Sequence, residues 1–250
     1  MSALAERFTV GWLYPDLMNI YGDRGNIQTL VERARWRGFD ARVLELRKGE
    51  TAGIEDVDVF FFGGGQDREQ ALVYEDLLEH KAVPLARAIA GGAAALTVCG
   101  GYQLLGRYYV TAEGENLPGI GLIDVRTEAG GVRCIGNVVV DAPGLGIDPP
   151  TLVGFENHSG RTYLGDGVEA LGRVRSGSGN NGEDGLEGAV VGNIFGTYLH
   201  GSLLPKNPHL ADLISLRGLQ RRGISALAPL ADGLELEAHR LIVERELAHR

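Results

Sequence analysis

Cys99 has the clearest sequence signature of a chemically active residue. It follows an apolar run at 94–98, and Gly100 and Gly101 come directly after it, where a short helical pattern begins. A nucleophile on such a strand-to-helix elbow stands clear of the sheet, and the N-terminus of the helix favours the thiolate form of a cysteine. The backbone N–H of Gly100 would point towards an oxyanion that forms beside the sulfur. The alternative is a buried cysteine packed beside a glycine turn, and the context favours the nucleophile.

His200 could serve as the base that such a nucleophile needs. It ends a largely apolar stretch at 193–199 and precedes Gly201, so we expect it at the end of another buried strand. A thiol nucleophile and its base can be distant in sequence, because the fold brings them together. Alone, His200 would more often be a hydrogen-bonded core residue. Its pairing with Cys99 favours a catalytic role.

A third segment with a possible function is the glycine triplet Gly63, Gly64 and Gly65, which follows the apolar run 57–62. Glycines there would let backbone N–H groups approach a ligand closely. The triplet is a weak motif by itself, because a turn without a binding role is equally consistent with it. The triplet supports a binding role only in combination with the segments that contain Cys99 and His200.

The elements that must position these segments alternate in the first half of the chain. Strand-like runs at 8–13, 42–46, 57–62 and 94–98 are separated by helical patterns at 26–37 and 67–89. Asn26 is the expected N-cap of the first helix and Gly38 its stop, while Pro84 is expected to interrupt the second. This alternation predicts a three-layer α/β fold with a largely parallel central sheet, whose strands end where ligands bind.

The second half of the chain has a different pattern. Shorter, partly antiparallel strands are expected at 122–126, 132–140, 152–155 and 168–175, and a buried strand at 189–195. The polar, glycine-rich stretch 176–188 predicts a mobile loop, and two amphipathic helices are expected at 208–222 and 234–249. Because no repeat and no linker interrupts the chain, we expect a single domain over 1–250, with a core at about 8–205.

The composition is that of an ordinary globular chain, with 250 residues of which 44% are hydrophobic and 23% charged. The net charge of −9, with acids and bases well mixed, argues against a nucleic-acid partner, which would need a basic face. Residues 1–7 lack the apolar core of a secretory leader, and no apolar run is long enough to span a bilayer. We therefore expect a cytoplasmic protein in which both cysteines are free thiols.

The three chemical segments, in this order and spacing, resemble those of the class I glutamine amidotransferases. The residues 99–106 (Cys-Gly-Gly-Tyr-Gln-Leu-Leu-Gly) and 198–201 (Tyr-Leu-His-Gly) are similar to the cobyric acid synthase branch. The segments 13–26, 63–70 and 155–162 resemble, more narrowly, the GatD-type glutaminase subunits of lipid II isoglutaminyl synthase. The resemblance implies the flavodoxin-like fold of that family, and hydrolysis of L-glutamine to glutamate and ammonia through a cysteine thioester.

The resemblance also assigns roles to individual residues of this chain. It implies that Cys99 is the nucleophile and His200 the base, and that an oxyanion hole is formed by backbone N–H groups of the residues Gly64 or Gly65 and Gly100. Gln103, one turn into the helix after the elbow, would help to orient the pocket. Arg133 would hold the glutamine carboxylate with its guanidinium, the alternative being a solvent-facing strand residue. Neither a cofactor nor a metal is implied.

Other residues singled out by the sequence have plainer expected roles. Cys134, next to Arg133 in an alternating strand, is expected to be a packed core thiol. His158 could contact substrate through its backbone or be a structural residue, and the structural role is favoured. The remaining histidines are expected at the surface: His80, His209, His239 and His249. The polar segment 16–26 could be a turn that caps a helix, and a contact with the pocket or a partner is equally consistent with it.

The chain departs from the family pattern at two positions. Thr97, two residues before the nucleophile, replaces a residue that is usually small. Ser202 stands where members with a full triad carry glutamate, two residues after the histidine, and the cobyric acid synthase branch lacks that glutamate as well. The third group would therefore be another acid of this chain or one supplied by a partner, and we favour the partner. The isolated chain is then expected to be a poor glutaminase.

The partner that the resemblance implies is a MurT-type ATP-dependent ligase, which forms a heterodimer with the glutaminase and amidates the D-glutamate of lipid II to D-isoglutamine. The chain has no Gly-x-x-x-x-Gly-Lys-Ser/Thr motif, so ammonia must pass to a separate enzyme. The complex would act on a membrane-bound lipid without insertion of this chain into the membrane. The alternatives are a subunit for another synthase, for example in corrinoid synthesis, and a non-catalytic regulatory subunit on the same fold.

Overall fold

The computed structural model of the chain describes residues 6–20 and 22–248, without the side chain of Asp67. Tyr21 of the polar segment 16–26, His249 and residues 1–5 lie outside the described residues, so the expectations about them are not addressed. Within the described residues, no helix combines the length and the apolar character that crossing a membrane requires.

Strands and helices are numbered along the chain. The strands are β1 (Arg7–Leu13), β2 (Asp40–Leu46), β3 (Val59–Phe62), β4 (Ala94–Val98), β5 (Tyr108–Val110), β6 (Asn116–Pro118), β7 (Val125–Asp141), β8 (Thr151–Leu164), β9 (Gly172–Ser176), β10 (Leu186–Glu187), β11 (Ala189–Val191) and β12 (Ile194–Thr197). The helices are α1 (Arg24–Trp36), α2 (Asp67–Asp76), α3 (Ala82–Ala90), α4 (Gly100–Leu105), α5 (Leu203–Lys206), α6 (Pro208–Leu219) and α7 (Gly233–Ala248).

The first sheet has the strand order β11-β12-β4-β3-β1-β2, and all neighbours in it are parallel except β11 and β12. Every residue of β3 and β4 is buried, as expected for central strands of a parallel sheet. α1 packs on β1 and β2, while α6 packs on β3 and β4. The predicted largely parallel central sheet with flanking helices is confirmed. That the chain forms a single domain stays a prediction.

The second sheet is built on an antiparallel pair of strands that are longer than the sequence predicts. β7 has 17 residues and β8 has 14, and β9, β5 and β6 extend the sheet. The expected short strands are wrong because β7 continues through Gly130 and Gly131, where the pairing with β8 shifts register between Ala129 and Cys134. A bridge between Phe155 and His200 joins β8 to the segment that follows β12.

Two predicted helix features are corrected. α1 begins at Arg24, and Asn26 does not cap it, because the Asn26 side-chain oxygen instead accepts a hydrogen bond of 2.8 Å from the backbone N–H of Leu204. The second helical stretch is interrupted by the π-helical turn Leu77–Lys81, upstream of Pro84. Pro84 lies in the first turn of α3, where a missing N–H is tolerated. The stop at Gly38 is confirmed by its positive φ of 85°.

The region 176–195 also differs from expectation. The predicted strand 189–195 is a hairpin of β11 and β12, because Gly192 adopts a positive φ of 57° and turns the chain. The predicted mobile loop 176–188 is fixed by buried amides. Asn180 donates to the Gly188 carbonyl and accepts from the Gly188 N–H, both at 2.9 Å.

The C-terminal helices lie close to their predicted bounds, but two of the histidines there are not surface residues. His239 on α7 is buried and bonds to the Thr151 hydroxyl at 2.8 Å and to the Lys206 carbonyl at 2.9 Å. His209 is half-buried and contacts the Thr151 carbonyl at 2.9 Å. Burial lowers the pKa of each of these imidazoles. The hydrogen bonds of His239 dock α7 onto the end of α5 and the start of β8.

Candidate active site

Cys99 forms the turn between β4 and α4. Its backbone φ of 51° and ψ of −109° lie in a region that side-chain-bearing residues seldom adopt, and such strain is concentrated at functional sites. Gly101 makes the turn possible, since a Cβ on it would lie 2.5 Å from the Phe62 carbonyl oxygen. The sulfur therefore stands at the carboxyl end of the central strand, as the elbow motif predicts.

His200 lies beside Cys99 because their strands are neighbours in the first sheet. Val98 of β4 pairs with Thr197 of β12, so both chains leave the same edge of the sheet. The imidazole is fully buried and interacts electrostatically with the Cys99 sulfur. Burial alone lowers the pKa of His200, but the charge of the Cys99 sulfur and the carboxylate of Asp23 outweigh it and raise the pKa to about 10. This environment stabilises the protonated form of His200.

Asp23 is an acidic group of this chain that reaches the histidine. Its Oδ1 lies 3.6 Å from Nδ1 of His200, and both side chains are fully buried. This distance is that of an ion pair rather than of a direct hydrogen bond, and catalytic contacts of this kind commonly shorten when substrate binds. The structure thus places one acid of this chain beside the histidine, and the supply of the third group by a partner stays a prediction. Asp23 was not identified from the sequence, although it lies in the polar segment 16–26.

The glycine triplet lies against the elbow, and the structure distinguishes its members. The Gly64 N–H donates a hydrogen bond of 2.7 Å to Oδ2 of Asp23, so it is not directed at the sulfur. The Gly65 nitrogen lies 3.0 Å from the point where a Cβ of Gly100 would sit. Because Asp23 binds the Gly64 N–H, the alternative with Gly65 and Gly100 is the one we retain, and the oxyanion hole stays a prediction.

The wall behind these glycines comes from the segment that follows β1. A Cβ on Gly65 would lie 2.3 Å from the Met18 sulfur, and one on Gly64 would lie 2.9 Å from the Ile20 side chain. This segment is anchored at its start, where the Tyr14 hydroxyl donates a hydrogen bond of 2.8 Å to the buried Asp76. Part of the polar segment 16–26 is therefore a wall of the site.

A cavity of about 240 Å³ opens in front of Cys99. Its lining includes Ile20, Gly65, Gln66, Arg68, Cys99, Gln103, Arg133, Asn157 and Ser159. The size is at the small end for a ligand pocket and suits a single amino acid. Arg133 lies on β7 at the exposed rim, as predicted, and its Nε donates a hydrogen bond of 2.5 Å to the side-chain oxygen of Asn157. A second and larger cleft, of about 880 Å³, contains none of the predicted site residues.

Gln103 is held by two buried partners on the floor of this cavity. Its side-chain oxygen accepts from Gln70 at 2.9 Å, and its Nε2 donates to the Tyr198 hydroxyl at 3.0 Å. Tyr198 in turn contacts the Thr162 hydroxyl at 2.6 Å. A Cβ on Gly160 would lie 2.4 Å from Nε2 of Gln103. The geometry thus agrees with an orienting role for Gln103.

The remaining sequence candidates lie around the cavity or away from it. Cys134 is buried, does not line the cavity and pairs with His158 across β7 and β8, as a packed thiol would. His158 stacks on the Tyr198 ring with centroids 3.8 Å apart and contacts the Gly160 carbonyl at 2.9 Å, in agreement with a structural role. Within residues 6–20 and 22–248 no three His, Cys, Asp or Glu side chains are placed to hold a metal ion.

Comparison with known proteins places these features in a family. Residues 9–208 match the family described as the CobB/CobQ-like glutamine amidotransferase domain. The lipid II isoglutaminyl synthase (glutamine-hydrolyzing) subunit GatD of Staphylococcus aureus (strain N315) is 41% identical over 241 residues, which are 96% of this chain and 96% of that protein. The subunit of the same name from Streptococcus pneumoniae (strain ATCC BAA-255 / R6) is 35% identical over 243 residues, 97% of this chain and 89% of that one.

A solved structure shares the fold at much lower sequence identity. A chain in the structure of PurLQS from Thermotoga maritima superposes with a TM-score of 0.56 and 18% identity, covering 86% of this chain and 97% of that one. This likeness concerns the fold alone. The matches in sequence confirm the resemblance that the motifs predicted.

Proposed function

Since this chain belongs to the CobB/CobQ-like glutamine amidotransferase family, we propose that Cys99 and His200 hydrolyse L-glutamine to glutamate and ammonia. The observation that carries the proposal is the meeting of the two side chains at adjacent strand ends. Cys99 sits on a strained elbow at the end of β4, and the buried His200 follows the neighbouring β12. A thiol nucleophile with an adjacent base is the arrangement that covalent amide hydrolysis needs.

The proposed reaction begins with attack of the Cys99 sulfur on the side-chain carbonyl carbon of glutamine, while His200 holds the thiol proton. The carbonyl oxygen becomes negative and faces the N–H groups of Gly65 and Gly100. His200 gives its proton to the departing nitrogen, so ammonia leaves and a thioester remains. His200 then takes a proton from water as the water oxygen attacks the thioester, and glutamate departs as the thiol is restored.

Substrate is held, in this proposal, by the cavity in front of Cys99. Arg133 at the rim receives the α-carboxylate of glutamine, and Asn157 fixes the plane of the guanidinium. Gln103 lies deeper in the cavity and shapes it through its bonds to Gln70 and Tyr198. The amide end of the substrate thereby points at the sulfur.

We propose that the ammonia passes to a MurT-type ATP-dependent ligase. This chain forms a heterodimer with the ligase, and the complex amidates the D-glutamate of lipid II. Support comes from the full-length match to two subunits named for lipid II isoglutaminyl synthase. The absence of a Gly-x-x-x-x-Gly-Lys-Ser/Thr motif agrees with an ATP site on another chain. We place the protein in the cytoplasm, where ATP is available to the ligase.

The test is an assay of glutamine hydrolysis by the purified chain, alone and with the ligase. The account predicts equal amounts of glutamate and ammonia, complete loss of both in Cys99→Ala, and retained activity in Cys134→Ala as the matched control. In the presence of the ligase, ATP and lipid II, isoglutamine should appear and should depend on Cys99. Hydrolysis that survives Cys99→Ala would overturn the assignment, and activity without amidated lipid II would overturn only the acceptor.

A further inference from the structure

Arg133 lies on a bulge of the second sheet. The register of β7 against β8 shifts between Ala129 and Cys134. The four residues 130–133 therefore lie opposite a single residue of β8, Ser159. A bulge of this kind turns a side chain out of the regular pleat, and bulges are common beside active sites. Here the bulge 130–133 places a guanidinium at the rim of the cavity in front of the candidate nucleophile.

The bulge 130–133 has little packing of its own. Gly131, Val132 and Arg133 are all exposed, and Val132 is exposed to 75% although its side chain is apolar. A backbone segment with few buried apolar contacts is the kind that opens locally. Contacts from the neighbouring strand must therefore hold the bulge if the guanidinium is to stay at the cavity.

Two side chains of β8 make these contacts. The side-chain oxygen of Asn157 accepts the bond from Nε of Arg133. The guanidinium of Arg161 donates through Nη2 to the Val132 carbonyl at 2.5 Å and through Nη1 to the Ser159 carbonyl at 3.1 Å. Because side chains alternate along a strand, Asn157 and Arg161 stand on the same face of β8, one on each side of Ser159. The bulge is thus held from both sides of the residue that it faces.

The contact with Arg161 depends on glycine at one position of the bulge. A Cβ on Gly130 would lie 2.7 Å from the Ser159 carbonyl oxygen and 2.9 Å from Cζ of Arg161. A Cβ on the neighbouring Gly131 would meet none of the described atoms within 4 Å. The close approach of the guanidinium therefore requires the first glycine of the bulge and not the second.

We propose that Arg161 is a positioning residue for the substrate: it ties the bulge 130–133 to β8 and so keeps the Arg133 guanidinium where the α-carboxylate of glutamine binds. The inference deepens the proposed function and rests on it. Arg161 is not among the residues that line the cavity, and its donors are directed at backbone carbonyls. It acts only through Arg133, so its loss weakens the binding of glutamine in the ground and transition states alike.

The experiment is a double-mutant cycle on glutamine hydrolysis by the full chain with its ligase. Arg161→Gln should raise KM for glutamine about 5- to 10-fold and leave kcat within about twofold of wild type. In the Arg133→Ala background the same change should have almost no further effect on KM, because the group that Arg161 positions is already gone. Additive effects would overturn the proposal, since a general disturbance of the cavity does not need Arg133.

A second arginine and a change of cation control for charge. Arg126→Gln removes an exposed arginine of β7 outside the cavity and should leave KM as in wild type. Arg161→Lys keeps the positive charge but lacks the planar fork that reaches two carbonyls, so it should recover only part of the loss. Full recovery of KM in Arg161→Lys would show that the charge alone is needed, and would overturn the positioning role.

The two glycines of the bulge test the same contact without changing an arginine. Gly130→Ala should raise KM as Arg161→Gln does, because the new Cβ displaces the guanidinium. Gly131→Ala is the matched control and should behave as wild type. If Arg161→Gln does not fold, this pair decides the matter, and equal KM values in the two glycine variants would overturn the proposal.

The second readout needs no turnover and compares two reagents that alkylate Cys99. A diazoketone analogue of glutamine carries the α-carboxylate, whereas iodoacetamide does not. Arg161→Gln should therefore slow labelling by the diazoketone and leave labelling by iodoacetamide unchanged. Equal slowing with both reagents would show a disturbance of Cys99 itself and would contradict a role that acts through the carboxylate.

The outcomes separate this inference from the proposed function. If wild type hydrolyses glutamine and Arg161→Gln matches it in KM and in diazoketone labelling, the positioning role is wrong and the glutaminase assignment stands. If wild type hydrolyses no glutamine with or without the ligase, the proposed function itself fails.

Discussion

Arg133 on β7 and Asn157 on β8 are joined by a hydrogen bond of 2.5 Å from the guanidinium Nε to the side-chain oxygen. The bond fixes the orientation of a cationic group at the rim of the cavity that contains Cys99. A guanidinium held in this way suits a carboxylate, because both groups are planar and can form two parallel hydrogen bonds. The α-carboxylate of glutamine is the partner that the proposed function supplies.

Arg133→Ala should therefore raise KM for glutamine about 10- to 100-fold, the loss expected for a hydrogen bond to a charged group. The ion pair is present in the ground and transition states alike, so kcat should change only a few-fold. Arg126→Ala, an exposed arginine of the same strand that lies outside the cavity, is the control for a general effect of lost charge. Equal losses in kcat and kcat/KM, or no change in KM, would contradict the carboxylate role.

Gly160→Ala should impair the site without touching a catalytic group. The new Cβ would lie 2.4 Å from Nε2 of Gln103, so the amide must move and its bond to Tyr198 must break. We expect kcat/KM for glutamine to fall about tenfold or more, since small misplacements near reacting groups are costly. Gly136→Ala on the facing strand β7 meets nothing within 4 Å and is the matched control. Wild-type kinetics in Gly160→Ala would show that Gln103 does not orient the pocket.

The residues of this site that the sequence predicts are those whose pattern lies within a short stretch of neighbouring residues. Cys99 and His200 each follow a buried strand and directly precede a glycine, and such boundaries are visible in a short window of residues. Gly65 could not be separated from Gly64, because the difference is the bond from Gly64 to a distant carboxylate. For Asp23, the only local signal is an acidic residue between Gly22 and Gly25, within the polar segment 16–26.

The contacts that the sequence could not provide are those between distant segments. Asp23 reaches His200 only because Ser202 and Leu204 bond to the flanking residues of its segment, and neither bond has a sequence pattern. The sequence predicts Asn26 as a helix cap for the same reason, because its side-chain oxygen accepts a hydrogen bond from Leu204, which is far along the chain. His239 was likewise placed at the surface because a helical pattern does not show that a neighbouring strand covers it.

The C-terminal segment supplies a prediction on stability. Arg33 of α1 is almost fully buried and bonds through its guanidinium to Asp212 at 2.7 and 2.8 Å and to Asp232 at 2.6 and 2.7 Å. Arg33→Ala leaves Asp232 without this cation, while Arg37 still binds Asp212, and should lower the free energy of unfolding by about 3 kcal/mol. Arg240→Ala, whose ion pairs on α7 are exposed, should leave Tm nearly unchanged and is the control.

The ion pair between Arg33 and Asp232 also predicts how the stability of the protein changes at acidic pH. Hydrogen bonds from Arg33 lower the pKa of Asp232 in the folded protein, so the unfolded state binds more protons in acid. The stabilisation is fully present above the unfolded pKa of about 3.9 and is lost as pH falls through the folded value. Urea unfolding between pH 3 and pH 6 should therefore show a shallower loss of stability in Arg33→Ala than in wild type. Parallel curves for the two proteins would contradict this assignment.

The central claim, that Cys99 is the nucleophile of a glutamine-hydrolysing site, is tested most directly by covalent capture. A diazoketone analogue of glutamine is incubated with the chain, and the labelled cysteine is identified by peptide mapping. The account predicts one label per chain, on Cys99, with protection by excess glutamine and no label on Cys134, which does not line the cavity. Label on Cys134, or labelling of Cys99 that glutamine does not slow, would contradict it.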